Sequence, residues 1–255
     1  YQEHAYIEPQ GALAVPEDGG MTVFASMQCP FYVQAAVAKV LSLPLSKVRI
    51  VQAVTGGAFG GKEDVPSQIS SLAALLAWKT RQPVKLVLDR DEDILTTSKR
   101  HPSTVRYRTA ARRDGTITAI DVDVVLNAGA YQTLSSAVLW RSLCTAAGPY
   151  RVPHVHVRAR SVATNTVPNG AFRGFGSPQV ILPHEAQMDR LAAALEMDRI
   201  ALRRSNLLVV GDTTSTGQVL HHSVGALEAL DRARTLIDWD ARGQSIATHN
   251  ASQDH

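Results

Sequence analysis

The sequence contains little cysteine and no long apolar run. Only two cysteines, Cys29 and Cys144, occur in 255 residues. Because an iron–sulfur cluster ordinarily takes four thiolate ligands, this chain by itself should not hold one. The low count also favours a reducing compartment over a disulfide scaffold, so the cytoplasm is the expected location. No apolar stretch reaches membrane-spanning length, and no secretory signal is evident at the start.

An excess of charge of one sign is also lacking. The formal net charge is +3, and the basic residues do not cluster with aromatic ones, so nucleic-acid binding is not expected. The length is enough to bury a substantial core, as one large domain or two small ones. The chain opens on Tyr1 rather than Met, which suggests a processed protein or a piece of a longer one.

Hydrophobic periodicity predicts a mixture of helices and antiparallel strands. Two long alternating segments, 103–112 and 116–127, are joined at Asp114-Gly115, which is a strong hairpin signal. Further strands are expected at 22–25, 47–54, 83–88 and 155–166, helices at 30–41, 67–80, 182–208 and 224–237, a charged turn at 89–93 and a polar loop at 211–219. Hairpins combined with packed helices indicate an α+β fold.

A glycine-rich stretch, Thr55–Asp64, separates a predicted strand from a predicted helix. It reads T-G-G-A-F-G-G-K-E-D, and its four glycines surround Phe59. Glycine tolerates positive φ and lets backbone N–H groups approach a ligand more closely than a Cβ would allow. We call residues 55–64 the glycine loop. It is a candidate ligand-binding loop, although a purely structural turn gives the same pattern.

Part of this loop also matches a nucleotide-binding motif. Gly56, Gly61 and Lys62 fit the opening of G-x-x-x-x-G-K-[ST]. The next position, however, is Glu63, where a hydroxyl should meet Mg²⁺. Since a carboxylate there would repel a triphosphate, a nucleotide hydrolase is the weakest of the alternatives.

A second glycine-rich stretch, residues 170–176, surrounds Arg173 and is called here the arginine loop. Ala171–Gln179 reads A-F-R-G-F-G-S-P-Q, so backbone amides and one guanidinium could converge on an anion. Phe172 and Phe175 lie in the same loop. An aromatic ring exposed there is costly unless a flat group stacks on it, whereas a core aromatic anchoring a turn is the structural alternative.

Together with Q-E-H-A-Y-I-E-P at Gln2–Pro9, these two loops closely resemble the molybdenum hydroxylases, the xanthine oxidase and aldehyde oxidase family. The resemblance is to the first half of the molybdopterin-binding region. It implies a molybdopterin-binding domain of xanthine dehydrogenase type over residues 1–240, with mixed sheets, long antiparallel hairpins and packed helices. Residues 241–255 are then a polar tail.

The resemblance also implies roles for individual residues. The residues that it implies in cofactor binding are Gln28, Gly57, Ala58, Phe59, Gly60, Ala171, Phe172 and Arg173. The residues that it implies in substrate binding are Glu63, Arg141 and Phe175. Without the resemblance, Gln28 is better explained as an exposed polar residue before a helix. Arg141 then fits an ordinary helix-surface arginine as well as it fits a substrate contact. Glu63 and Lys62 could pair locally at a helix start, where a carboxylate favours the dipole.

The sequence contains two closely spaced histidine pairs. His154 and His156 should share one face of a strand, but with no third ligand evident a metal site is not favoured. His221 and His222 are expected in a solvated loop. No direct side-chain ligation of a metal is therefore predicted in this chain.

The implied function is oxidation of a purine or another N-heteroaromatic compound by a molybdopterin cofactor with molybdenum, in a dinucleotide form. The general base of the family lies in the later half of the molybdopterin region, so no catalytic residue is expected here. The second half, Fe–S and flavin (FAD) units would be partners on other domains or subunits. The alternatives are an aldehyde-oxidising molybdenum hydroxylase and a non-catalytic assembly subunit of the same fold.

Overall fold

A four-stranded sheet backed by two helices forms the first hydrophobic core. Its strands lie in the order β3–β2–β1–β4: β1 Gly11–Glu17, β2 Gly20–Ala25, β3 Val48–Gln52 and β4 Val84–Val87. β1 is antiparallel to both of its neighbours, whereas β2 and β3 are parallel. The parallel pair needs a crossover connection, which helix α1 (Pro30–Leu41) supplies.

Helix α2, Val65–Thr80, completes this core. Asp64 caps its start by accepting a hydrogen bond from the Val65 amide. Its buried face is rich in small side chains, among them Ala73, Ala74 and Ala77. These small residues allow the helix backbone to approach the apolar face of the sheet closely. The start of α2 fixes the end of the glycine loop.

The computed structural model describes residues 2–252 and divides the chain into two compact units. The first unit comprises Tyr1–Val105, Val124–Leu143 and Ala159–Val180; the second comprises Arg106–Asp123, Cys144–Arg158 and Ile181–His255. A three-stranded sheet in the order β5–β6–β7 contributes residues to both units. Its strands are β5 Ser103–Ala111, β6 Ile117–Gly129 and β7 His154–Ala163.

The remaining helices are α3 Arg90–Thr96, α4 Ser135–Thr145, α5 Ser177–Ala194, α6 Arg199–Asn206, α7 Ala226–Leu236 and α8 Trp239–Ser252. In the second unit, α6 is tied to the β5–β6 turn. The Asn206 side chain accepts a hydrogen bond from the Ile117 amide at 3.0 Å and donates to the Gly115 carbonyl at 2.9 Å. No helix among residues 2–252 is long and apolar enough to cross a membrane.

The α+β class and the hairpin at Asp114-Gly115 are confirmed. Three details differ. The charged turn expected at 89–93 is the start of α3, where Asp89 and Glu92 form a reciprocal capping box. The single helix expected over 182–208 is two helices, α5 and α6, separated near Glu196, whose φ is +55°. The polar tail continues as helix α8 to Ser252, and the domain boundary at residue 240 stays a prediction.

Candidate functional site

The glycine loop and the arginine loop meet in the first unit. The amide of Arg173 donates to the carbonyl of Phe59 at 2.9 Å. Gly60 lies against the other loop: a Cβ added there would stand 2.8 Å from the carbonyl carbon and oxygen of Ala171. Gly60 also has a φ of +100°. Contact between the two loops therefore already requires glycine at this position.

Two phenylalanines, one from each loop, adopt left-handed backbone conformations. Phe59 has a φ of +54° and Phe175 a φ of +50°. Bulky residues rarely adopt positive φ, and such outliers concentrate at functional sites. Both line one cavity of about 410 Å³, whose other lining residues are Gln28, Gly60, Glu63, Phe172, Arg173 and Gly174. The two sequence motifs thus form one site.

Gln28 is bound to the glycine loop through its side-chain carbonyl. Its Oε1 accepts hydrogen bonds from the amides of Gly60 at 3.0 Å and Lys62 at 3.4 Å. Its own amide donates to the Lys62 carbonyl at 2.7 Å. Because the carbonyl oxygen is occupied by the loop, the Nε2 group is the part of this side chain that remains for a ligand in the cavity.

Phe172, unlike Phe59, is held by other protein groups. The His4 ring stacks on it with centroids 4.3 Å apart and planes inclined by 22°. The Arg100 guanidinium lies 3.9 Å from its ring centroid and also donates to the Arg173 carbonyl at 3.0 Å. Phe59 is 47% exposed. The ring that needs a stacking partner is therefore Phe59 rather than Phe172.

Residues 2–10, which we call the N-terminal strap, hold the glycine loop in place. The Glu8 carboxylate accepts from the Gly56 amide at 2.6 Å, from Ser26 Oγ at 2.8 Å and from Lys62 Nζ at 2.8 Å. Although partial burial acts to raise it, these hydrogen bonds bring the pKa of Glu8 below its ordinary value. The motif at residues 2–9 identifies this segment in the sequence. The motif does not show that the segment holds Gly56 and Lys62.

The position of Lys62 excludes two interpretations of this residue, local pairing with Glu63 and phosphate binding. Its side chain is fully buried against Glu8 and Ser26, so it pairs with Glu8 and not with its neighbour Glu63. A phosphate-binding lysine would have to reach a ligand at the loop. The nucleotide-hydrolase interpretation therefore loses its central residue.

Glu63 and Arg141, the predicted substrate pair, lie in different surroundings. Glu63 is half-buried in the cavity lining, and burial together with the neighbouring Asp64 raises its pKa. Arg141 lies on the exposed side of α4 and is not part of that lining. Of the predicted cofactor residues, Gly57, Ala58 and Ala171 also lie outside the lining.

These observations agree with comparison to known proteins. Residues 1–207 match the family model of the molybdopterin cofactor-binding domain. The chain belongs to this family. The large molybdopterin subunit of nicotinate dehydrogenase from Eubacterium barkeri is 47% identical over 232 residues, 91% of this chain and 54% of that protein. A xanthine dehydrogenase from Emericella nidulans is 41% identical over 221 residues, 86% of this chain and 16% of that protein.

The fold of the chain also matches the folds of solved structures. Aldehyde oxidoreductase from Desulfovibrio gigas superposes with a TM-score of 0.86 at 30% identity, covering 92% of this chain and 26% of that one. Quinoline 2-oxidoreductase from Pseudomonas putida 86 superposes with a TM-score of 0.86 at 25% identity, covering 98% and 33%. The chain therefore spans about half or less of the length of these relatives.

The two histidine pairs noted in the sequence lie outside the residues that line the cavity. In the second unit, His156 Nδ1 lies 2.9 Å from Asp121 Oδ1, and His154 is exposed on the same strand. His221 and His222 are exposed outside any helix or strand, as expected. Within the described residues, no group of three or more His, Cys, Asp or Glu side chains could hold a metal ion.

Proposed function

We propose that this domain is the first half of the molybdopterin-binding region of a molybdenum hydroxylase that oxidises a purine or another N-heteroaromatic compound. The observation that carries the proposal is the meeting of the two loops around one cavity, with Phe59 and Phe175 both in left-handed conformations. The names of two relatives, a nicotinate and a xanthine dehydrogenase, indicate N-heteroaromatic substrates for those proteins.

The lining fits a cofactor that carries oxygen and anionic groups. Arg173 supplies an exposed guanidinium and Gln28 an Nε2 donor. In the described part of the chain, the amide N–H groups of Phe59 and Phe172 donate to no other backbone group, so they remain available as donors. When bound, the molybdenum cofactor, which we propose in its dinucleotide form, supplies two-electron redox chemistry; the residues of this chain bind and orient it.

The substrate preference rests on Glu63 and Phe175. A carboxyl group whose pKa is raised can donate or accept a hydrogen bond at a ring nitrogen, and an aromatic ring can stack on a planar substrate. An aldehyde offers one carbonyl and would leave such a carboxyl largely unmatched. An aldehyde-oxidising enzyme remains the second candidate, because the chain superposes on a protein named aldehyde oxidoreductase.

The remaining parts of the enzyme would be supplied from outside this chain. We propose a second molybdopterin-binding half that contributes the general base, and Fe–S and FAD units that carry electrons away. The two free cysteines of the described chain, both partly buried, are consistent with a reducing compartment, for which we propose the cytoplasm. A non-catalytic assembly subunit would share the partners but hold no molybdenum.

The test is to purify the protein with its natural partners and to measure molybdenum and pterin together with turnover of xanthine, nicotinate and a simple aldehyde. We expect stoichiometric molybdenum and faster turnover of the heteroaromatic compounds. Absence of molybdenum would favour the assembly subunit, and preference for the aldehyde would favour the second candidate.

Paired variants test the substrate contacts. Glu63→Gln should lower kcat/KM for the heteroaromatic substrate about 10- to 1000-fold while sparing the aldehyde, because a buried hydrogen bond made in the transition state is weakened. Arg141→Met provides the comparison: since Arg141 lies outside the cavity lining, its effect should be smaller. Equal losses for both substrates in the Glu63 variant would show that Glu63 supports the cofactor or the fold.

A further inference from the structure

His4 is a buried residue of the N-terminal strap that contacts both loops of the site. Its Nε2 lies 2.7 Å from the Ala171 carbonyl oxygen, and its ring stacks on Phe172. On the other loop, a Cβ added at Gly61 would stand 2.9 Å from His4 Cγ and Nδ1. One imidazole therefore lies against the arginine loop and the glycine loop at once.

The hydrogen bond to Ala171 fixes the tautomer of this imidazole. A carbonyl oxygen only accepts, so Nε2 must carry the proton. Nδ1 is buried and has no hydrogen-bond partner among residues 2–252. The nearest carboxylate oxygen, Glu3 Oε1, lies 3.5 Å away and is engaged by the His4 amide, while Glu3 Oε2 pairs with Lys99 at 2.6 Å.

Lys99 extends the same connection to the far end of the arginine loop. Its amide donates to Pro168 at 3.2 Å, and its carbonyl accepts from the Gly170 amide at 2.9 Å. The arginine loop is thus held at Gly170 by Lys99 and at Ala171 and Phe172 by His4. The next residue, Arg173, is the one whose amide bonds Phe59.

We infer that His4, as the Nε2–H tautomer, is a positioning residue that sets the Ala171 carbonyl and the Phe172 ring and thereby aligns the arginine loop with the glycine loop. The alignment of the two loops by His4 concerns this chain alone. Its consequence for catalysis rests on the proposed function, because misplacing residues that orient a cofactor slows the chemical step without removing any reacting group.

Two substitutions separate the contributions of the imidazole. His4→Phe keeps a ring for stacking but removes the donor, whereas His4→Gln keeps a donor near the Nε2 position but removes the ring. His154→Gln is the matched control, because His154 is exposed on β7. In the full protein assembled with its partners, hydrogen–deuterium exchange of residues 170–175, molybdenum content, kcat and KM are measured.

For His4→Phe we expect amide exchange at Arg173 to rise about 3- to 10-fold, the size expected for one buried hydrogen bond. Exchange within α2 should stay unchanged. kcat should fall about 10- to 100-fold with smaller changes in KM and molybdenum content. His4→Gln should recover part of both losses, which a merely structural role would not predict, and His154→Gln should match the wild type.

Wild-type exchange and kcat in His4→Phe would overturn the inference. Failure of both His4 variants to accumulate as folded protein, with His154→Gln folded, would also overturn it, because His4 would then be required for folding and not for loop alignment. If the wild-type assembly contains no molybdenum, the proposed function fails, while exchange at Arg173 still decides the structural part.

Discussion

Substitution of Gly60 by alanine tests the contact between the two loops most directly. The added Cβ would lie 2.8 Å from the carbonyl carbon and oxygen of Ala171 and 3.0 Å from Cα of Phe172. All three are backbone atoms, which cannot turn away as a flexible side chain would. The φ of +100° is also a conformation that alanine adopts only with strain.

The expected cost has two parts. A non-glycine residue forced into a sparsely populated backbone conformation costs about 1–3 kcal/mol. Displacing packed backbone to accommodate an extra methyl group costs about another 1–3 kcal/mol. Gly60→Ala should therefore lower the free energy of unfolding by about 2–6 kcal/mol, a large share of the stability of an ordinary domain.

Gly217 and Gly19 provide the controls. Gly217 has a φ of +87° and Gly19 a φ of +66°, and nothing lies within 4 Å of a Cβ at either position. Each alanine variant there carries only the backbone strain. Urea unfolding of the purified variants, followed by fluorescence and circular dichroism, should place Gly60→Ala about 1–3 kcal/mol below Gly217→Ala. Equal unfolding free energies would refute the inference that loop contact requires glycine at residue 60.

Three further predictions concern the strap, acid stability and isolation of the chain. Glu8→Ala should destabilise the protein more than Lys62→Met by about 1–3 kcal/mol, because it leaves the fully buried ammonium unpaired; equal urea midpoints would contradict this. Burial lowers the pKa of His101 from 6.5 to about 4. The nearby charge of Arg100 acts in the same direction, whereas a hydrogen bond to the Gly170 backbone acts against it. Since the unfolded chain then binds the proton first, stability should fall as the pH drops from about 6.5 to 4, by up to about 3 kcal/mol, and His101→Gln should flatten that decline. The chain alone, with an artificial electron acceptor, should show no multiple turnover of heteroaromatic or aldehyde substrates. Sustained turnover would contradict the proposal that the general base lies outside this chain.

The sequence located both loops because their signals are local. Glycines, a central phenylalanine and the strand and helix on either side identify the glycine loop within a few residues. Likewise, Asp114-Gly115 marks a hairpin through the turn chemistry of two residues. The charged segment 89–93 is predicted as a turn but forms the start of α3, because the residues that favour turns also cap helices, as Asp89 does.

The contacts that align the loops could not be predicted in this way. His4 and Ala171 lie 167 positions apart in the chain, and Glu8 and Lys62 lie 54 apart. Periodicity and turn propensity report on neighbours along the chain and contain no information on such pairs. For the same reason, Lys62 resembled a phosphate-binding lysine in the sequence although its ammonium group is buried against Glu8.

Gly60 shows that two different requirements for glycine can coincide at one position. A glycine needed for the approach of a ligand and a glycine needed for the approach of another loop are identical in sequence. Here the Ala171 backbone occupies the space that a Cβ would take. Loss of cofactor in a Gly60 variant would therefore report first on separation of the loops, and only a variant that preserves the Arg173–Phe59 hydrogen bond could show direct contact between this amide and the cofactor.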